Sequence, residues 1–518
     1  MTFNPPFHAN PNVTVPGTVT LPVFHFFSLP EDYGQIPKIP TRSCDHCYFL
    51  RAQKCNIRET CQHCESSNRE CTYTLPPVGI APIGLNTTHR RVYDLAADKI
   101  DSLEAKFMER VSPLLPILTK RIVQKLLSVA KYNRSALTDE QKALVYSIYL
   151  IAIRSTNGTE SREIFPNYDQ ESAMKRYRHA TEQAIMQALS GKRITLMVFQ
   201  ASVFLAAAGW SDFGSRYVSN VLQWILGLAG AVGFTQDMAN LGFTVFETEL
   251  GRRLWSELSL IDVCISEELG RKFQIPSLTV TAPLNVNDNE LSEDMQALPQ
   301  GRIGYTDMAF NTMRFAIAYT MRHFRAPCDN AICQLGRTSA HESDYASRVS
   351  YITRFIHENY ISRCDLNDPV QNFTVMVAHV ILFKLRLMID TPRIEQEHLT
   401  LSSGDPLIRD LLNSAIWVIQ FSLRITRDAA TIPFTWKGAT HIPLTTLVFV
   451  AKNFAESCSV TMFPPEVWID VKDEYYRTYK GDRYKKEPLW ISLDSHMNQA
   501  GLPRGDDFTE KQKERITN

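Results

Sequence analysis

The stretch ELGRRLWSELSLIDVCIS, which runs from Glu249 to Ser266, shows the apolar spacing of an α-helix. Its apolar side chains recur every three or four residues, and a helix of about 3.6 residues per turn places such side chains on one side. They are Leu250, Leu254, Leu258, Ile261 and Ile265. The spacing therefore predicts a helix whose apolar side packs into a hydrophobic core.

The charged residues in and after this stretch allow two interpretations. Arg252, Arg253 and Asp262 stand in an otherwise apolar segment, and Arg271 follows it. These side chains could contact a ligand, or they could form buried ion pairs and hydrogen bonds between helices. We expect the second arrangement, because burial of an unpaired charge is strongly unfavourable.

Helical spacing continues on both sides of this stretch, whereas strand signals are sparse. Earlier segments with this spacing are LVYSIYLIAI (144–153), ITLMVFQASVFLAAA (194–208) and VSNVLQWILGLAGAVG (218–233). Later ones are YASRVSYITRFIHENY (345–360), FTVMVAHVILFKLRLMI (373–389) and DLLNSAIWVIQFSLRIT (410–426). The predicted fold class is therefore mainly α, with a large all-α domain of a dozen or more helices over residues 113–490.

The composition excludes some classes of protein. The 518 residues carry 55 basic and 55 acidic side chains, so any attraction to nucleic acid must be local. The longest apolar candidate, Ile194–Trp210, contains Gln200 and is too short to span a membrane. The N-terminus has no basic segment followed by an apolar run, so no secretory signal is expected. We predict a soluble intracellular protein, and such compartments keep thiols reduced.

Six of the eleven cysteines lie in residues 44–71. They are Cys44, Cys47, Cys55, Cys61, Cys64 and Cys71. Two C-x2-C pairs are typical of zinc ligands, and disulfides are rare in a reducing compartment. Six thiolates hold two tetrahedral Zn²⁺ ions only if two of them bridge both ions; one zinc with two spare thiols is the alternative. His46 and His63, between the paired cysteines, are expected to face solvent.

The spacing C-x2-C-x7-C-x5-C-x2-C-x6-C resembles the fungal binuclear zinc cluster DNA-binding domain. The resemblance implies two Zn²⁺ per chain, bridged by the first and fourth cysteines, Cys44 and Cys61. The second and third cysteines would complete one site, and the last two would complete the other. Metal binding would supply most of the folding free energy of so small a segment.

The same resemblance implies double-stranded DNA as a partner. A helix after the second cysteine, here YFLRAQK (48–54), would enter the major groove and read a CGG triplet. Arg51 and Lys54 share one side of that helix and can donate to guanine O6 and N7. Further predicted DNA contacts are Arg58, Arg90 and Arg91. The sequence departs from the family in having seven residues between Cys47 and Cys55, where six are usual, and in lacking a proline in NIRET.

Later phrases resemble the fungal-specific transcription factor domain, the middle homology region that accompanies such clusters. They include VSPLLPILTK, FQASVFLAAAGW, ELGRRLWSELSLIDVCISEELGRKFQIP and PFTWKGATHIPLTTLVFVA, in this order along the chain. The resemblance covers approximately residues 105–460. It implies a helical domain for regulation or assembly.

These patterns divide the chain into six parts. The parts are a disordered segment (1–40), the zinc cluster (41–75), a linker (76–92), a short amphipathic helix (93–112), the helical domain (113–490) and a charged tail (491–518). In the short helix, Tyr93, Ile100, Leu103 and Phe107 follow a heptad pattern, which Arg110 interrupts. The pattern predicts either a dimerisation coil or the first helix of the next domain. A homodimer is expected, because one cluster reads too few base pairs to select a site.

The predicted function is that of a nuclear, sequence-specific DNA-binding regulator of RNA polymerase II transcription, with the transcription machinery as a partner. Many proteins that resemble it control a gene cluster for secondary metabolism or nutrient use. No catalytic or phosphate-binding motif is found, so the chain is not expected to be an enzyme. One alternative is a zinc-dependent, partner-binding regulator with weak or no DNA binding. Five basic and four acidic residues between Arg42 and Cys71 favour it, because phosphate contacts need excess positive charge.

Overall fold

The computed structural model of the chain describes nine ranges of residues. These are 93–190, 194–269, 271–275, 280–325, 339–397, 405–438, 444–457, 465–478 and 488–499. They contain fifteen α-helices and no β-strand. The prediction of a mainly α fold is confirmed, whereas the predicted zinc cluster lies outside the described residues.

Fifteen α-helices follow one another along the described ranges of the chain. They are α1 (Ala97–Lys106), α2 (Lys120–Tyr132), α3 (Asp139–Arg154), α4 (Gly158–Ile164), α5 (Gln170–Leu189), α6 (Leu196–Val232), α7 (Val245–Glu268), α8 (Ala309–Arg325), α9 (Ser339–Asn359), α10 (Pro369–Gln396), α11 (Pro406–Arg427), α12 (Thr435–Gly438), α13 (Leu444–Ser457), α14 (Pro465–Thr478) and α15 (Pro488–Gln499). A π-helical turn, Phe107–Val111, continues α1.

Capping boxes start three of the helices. At α3, the Thr138 hydroxyl accepts from the Gln141 backbone N–H at 3.3 Å, and the Gln141 side chain accepts from the Thr138 N–H at 2.9 Å. Equivalent reciprocal pairs begin α4 and α7. Each box satisfies two backbone donors that the first helical turn leaves without partners. The local sequence therefore fixes where these helices begin.

The longest helix, α6, bends sharply at Gly214. This residue has φ 80° and ψ 163°, a conformation that is largely restricted to glycine. The two helices predicted over 194–208 and 218–233 lie on either side of this bend. α6 then ends at Gly233, which has φ 79° and forms a left-handed C-cap.

α7 is the central helix of the main hydrophobic core. Its predicted apolar side chains, from Leu250 to Ile265, are all buried, which confirms the helix and its packed side. Arg253, Glu257 and Asp262 are fully buried as well. A helix with no solvated side lies inside a domain rather than on its surface.

A second hydrophobic cluster forms toward the C-terminal end. It joins α11, α13, α14 and α15, and it includes Leu411, Leu447, Val471 and Leu493. Leu387, near the end of α10, also belongs to it. Because α10 contributes side chains to both clusters, this helix connects the two parts of the core.

The first helix, α1, is part of the same domain. Ile100 and Leu103 are 0% exposed and Phe107 is 1% exposed, all within the main core. Tyr93 is half-buried against that core. These side chains cannot also line a seam between two copies, so the prediction of a dimerisation coil here is corrected. They begin the helical domain, as the sequence also allowed.

Among the helices that the structure describes, one is long and apolar enough to cross a membrane by length and composition. It is the segment Pro369–Thr391 of α10, in which 61% of the most apolar window is buried inside the protein. Phe373, Val377 and Leu385 pack in the main core. Burial of this kind is typical of the core helix of a globular domain.

Candidate functional site

The predicted zinc and DNA-binding residues lie before the first described residue. This applies to all six clustered cysteines, from Cys44 to Cys71, and to Arg51, Lys54, Arg58, Arg90 and Arg91. Within the described ranges, no group of three or more His, Cys, Asp or Glu side chains could hold a metal ion. The zinc prediction therefore rests on the chemistry of its donors, since thiolates at paired spacing suit Zn²⁺.

The residues that follow the predicted linker are held firmly on the helical domain. The Tyr93 ring lies edge-on to Tyr146, at 6.1 Å between ring centroids. The Arg176 guanidinium stands over the same ring at 5.7 Å, and the Tyr177 hydroxyl donates to the Tyr93 carbonyl at 3.3 Å. Asp94 forms an ion pair with Arg134 at 3.3 Å. The chain that arrives from the cysteine-rich segment thus has a fixed point of attachment.

Glu249 and Arg253 are the first buried charges along α7. Arg253 Nη1 donates to Asp288 Oδ1 at 2.7 Å, and Arg253 Nε lies 3.5 Å from Glu249 Oε1. Burial raises the pKa of Glu249 to about 7, although Arg253 opposes this shift. Asp288 also accepts from the Lys120 backbone N–H at 3.0 Å. One arginine therefore joins α7, the start of α2 and the 288–290 turn.

Glu257 lies one turn further along and binds three donors from two parts of the chain. The Lys437 ammonium pairs with its Oε1, and Arg314 Nη1 lies 3.6 Å from its Oε2. The Asn311 amide donates to Oε2 at 3.4 Å. Burial lowers the pKa of Lys437, with Glu257 opposing that shift. This carboxylate connects α7 with α8 and α12.

Asp262 anchors the segment that follows α7. Its Oδ1 accepts from the Gln274 backbone N–H at 2.8 Å, and its Oδ2 accepts from the Ile275 N–H at 3.0 Å. Arg322 pairs with Oδ2 and also donates to the Ile275 carbonyl at 2.8 Å. This carboxylate therefore ties the backbone of residues 274–275 to α7 and to Arg322 of α8.

The other two arginines also bind protein groups. Arg252 donates to Asp237 Oδ2 at 2.9 Å, and Arg271 donates to the Ser219 hydroxyl. All four predicted residues therefore bind protein groups, as expected. The Asp262–Arg322 pair joins two α-helices, whereas the contacts of Arg252, Arg253 and Arg271 join a helix to a turn or loop. The sequence did not single out Glu249, Glu257 or the distant partners, although an acidic residue in an apolar helical repeat indicates that a buried cation is needed.

Comparison with known proteins identifies fungal transcription regulators as similar to this chain. The Aurofusarin cluster transcription factor aurR2 of Gibberella zeae is 25% identical over 363 residues, which is 67% of this chain and 52% of that protein. Transcriptional regulator AacuB of Aspergillus aculeatus is 20% identical over 76% of this chain and 53% of its own length. Transcriptional regulator nsrM of Aspergillus novofumigatus is 22% identical over 67% of this chain and 47% of its own length.

The chain spans about half the length of these curated relatives. No family model matches the chain. The matches are nevertheless long enough to extend well into the helical domain, because each covers about two thirds or more of the chain. The similarity is therefore to named transcription regulators over a large share of the sequence.

Proposed function

We propose that the protein is a DNA-binding regulator of transcription that acts in the nucleus. The observation that carries this proposal is the combination of six closely spaced cysteines with similarity to fungal transcription regulators. The helical domain, in which buried charges pair with one another, supports a role in regulation or assembly. The name of one relative, the Aurofusarin cluster transcription factor, favours control of a gene cluster for secondary metabolism.

Two Zn²⁺ ions would be held by Cys44, Cys47, Cys55, Cys61, Cys64 and Cys71. Zinc would supply folding free energy to the segment, because the separated thiolates have no other means of staying together. Elemental analysis of the full chain should give about two zinc per protein. Replacement of Cys44, a proposed bridging ligand, with Ala should release metal from both sites. A zinc content near one ion per protein, both before and after the change, contradicts the bridged arrangement.

Sequence-selective DNA binding is the test of the function itself. The full chain should shift duplexes that carry two CGG triplets and should bind unrelated duplexes more weakly. The preference should persist as salt rises, while affinity for all duplexes falls. A protein with two bound zinc ions and no preference at any salt concentration would instead be the zinc-dependent, partner-binding regulator, which the low local charge favours.

A homodimer is part of this proposal. One cluster reads about three base pairs, which is too little to select a site in a genome. Two clusters on one duplex multiply this information, and physical linkage raises the effective concentration of the second. The second cluster would come from a second copy, and RNA polymerase II with its associated machinery would be the downstream partner.

A further inference from the structure

Among the tryptophans whose side chains the structure describes, one differs from the others in its exposure. Trp210, Trp224, Trp255 and Trp436 are between 3% and 7% exposed, whereas Trp417 is 51% exposed. Tryptophan is enriched at the centres of protein interfaces, because it buries a large apolar area at a low cost in conformational entropy. Trp417 lies near the middle of α11.

Trp417 packs on a group of aromatic rings from α10 and α11. Its ring packs on Phe421 at 5.8 Å between centroids. Phe421 stacks on His379 of α10 at 5.1 Å and 15°, and Phe383 stacks beside them at 6.4 Å from Phe421. Burial, together with the nearby His357, lowers the pKa of His379 and favours its neutral ring. The tryptophan is thus held on a firm apolar base, as a preorganised contact requires.

The exposed side of α11 forms a stripe with a regular period. Seven of its exposed or half-exposed positions follow one another in steps of four and three residues, while Leu407, Arg409, Phe421 and Thr426 lie beside this row. The seven are Pro406, Asp410, Asn413, Trp417, Gln420, Arg424 and Arg427. This average step of about 3.5 residues keeps side chains facing a partner helix over several turns. A stripe of this kind suits packing against another helix. Gln420 donates to Asp470 and Arg427 donates to Asp473, both on α14, so the free part of the stripe is centred on Trp417.

The stripe is complementary to its own reversed copy. Asp410 lies seven residues before Trp417, and the exposed Arg424 lies seven residues after it. The Asp410 side chain is 62% exposed and lies 3.9 Å from Arg386 of α10. In two antiparallel α11 helices related by a two-fold axis at Trp417, each Asp410 would face Arg424 of the second copy. A two-fold interface requires such self-complementarity.

We propose that a second copy of this chain binds across this stripe, with the two Trp417 side chains at its centre. The inference rests on the proposed function in one respect, because that function requires two clusters on one duplex. The α11 interface would take the place of the dimerisation coil predicted for residues 93–112, whose apolar side chains are already buried in the chain's own core. Charge pairing at both ends would fix the antiparallel direction, since parallel helices would oppose like charges.

The test is sedimentation of the full zinc-loaded chain by analytical ultracentrifugation. The wild type should dimerise, and Trp417→Glu should weaken the dimer by about 30-fold or more, as expected for the loss of a central tryptophan. Asp410→Arg and Arg424→Asp should each weaken it by about tenfold or more, because each places like charges together. The double variant Asp410→Arg/Arg424→Asp should recover most of the affinity, because it restores both pairs in swapped order.

Tyr132→Glu is the matched control, since Tyr132 is 77% exposed at the end of α2 and should not affect the dimer. Unchanged circular dichroism of each variant excludes misfolding. Recovery of the dimer in the double variant excludes it a second time, because a misfolded chain would not regain affinity when a second charge is reversed. A monomeric wild type, or a dimer that all four variants leave intact, overturns the inference. Zinc content and CGG selectivity are measured on the same wild-type sample. If the proposed function fails, zinc binding or CGG selectivity is lost, whereas failure of the α11 interface alone leaves both unchanged.

Discussion

Arg110 occupies a position where the heptad pattern of the first helix calls for an apolar residue. Its Nη1 and Nη2 each donate to a carboxylate oxygen of Glu160 at 2.7 Å, and Nη1 also donates to the Ser155 carbonyl at 3.0 Å. Glu160 lies 50 residues away in sequence, so the interruption could be seen in the pattern but its partner could not. The sequence identifies a buried charge more readily than the group that neutralises it.

Replacement of Arg110 with Met should lower the free energy of unfolding by ~2–3 kcal/mol at neutral pH, because charge-assisted hydrogen bonds are lost. Hydrogen bonds from Arg110 lower the pKa of Glu160 to about 2 from its usual 4.5. A carboxylate with a depressed pKa stabilises the fold above its unfolded pKa, and this contribution falls as pH drops from 4.5 toward 2. The difference between wild type and variant should therefore shrink in that window.

Urea unfolding at pH 7 and at successive values below pH 4.5 measures this dependence. Arg162→Met is the control, because Arg162 is exposed on α4 and should change stability little at any pH. A wild-type advantage that stays constant with pH would mean that packing of the long side chain, rather than its charge, accounts for the effect.

Base readout also belongs to individual residues. If Arg51 and Lys54 face guanines, replacement of either with Ala should cost about 1–3 kcal/mol of discrimination against a changed CGG triplet. Arg90→Ala is the matched comparison. It should weaken binding to all duplexes alike and flatten the salt dependence, as loss of a phosphate contact does. Titration of matched and mismatched duplexes gives both quantities, and intact CGG preference in both helix variants would reject this helix as the reading element.

At the scale of elements, the sequence predicted which segments are helical but not what their apolar sides pack against. The apolar spacing of α7 predicted both the helix and the buried side that the structure shows. The heptad pattern around Ile100 and Leu103 was equally compatible with a coil between chains and with a helix in a core. Periodicity states that an apolar side must be covered; it does not state which part of which chain covers it.

Gly214 and Gly227 offer a matched test within α6. A side chain at Gly214 would be strained by its φ of 80°, so Gly214→Ala should lower the free energy of unfolding by ~1–3 kcal/mol. Gly227 is helical, and a Cβ placed there meets nothing within 4 Å. Gly227→Ala should therefore raise stability by ~0.5–1 kcal/mol through its better helix propensity. Thermal unfolding followed at 222 nm compares them, and equal effects would show that the bend at Gly214 is not required.

At the scale of the whole molecule, the described helices share a hydrophobic core built from apolar side chains. The core begins at Leu95 and continues through Trp436, with a second cluster that reaches Met497. The proposed zinc segment, by contrast, consists largely of polar residues and cysteines. The two parts should therefore respond differently to loss of metal, because a segment with almost no apolar core depends on its metal for folding.

Removal of zinc from the full chain by a strong chelator should abolish CGG-selective binding and leave the helical circular dichroism nearly unchanged. The main thermal transition should keep its midpoint, because the described core contains no group of three or more metal-binding side chains. Association through α11 should also persist, since Trp417 and its supporting rings lie in the helical domain. Addition of about two equivalents of Zn²⁺ should restore DNA binding, and an unfolding transition that shifts to markedly lower temperature on chelation would show that the core and the metal segment are coupled.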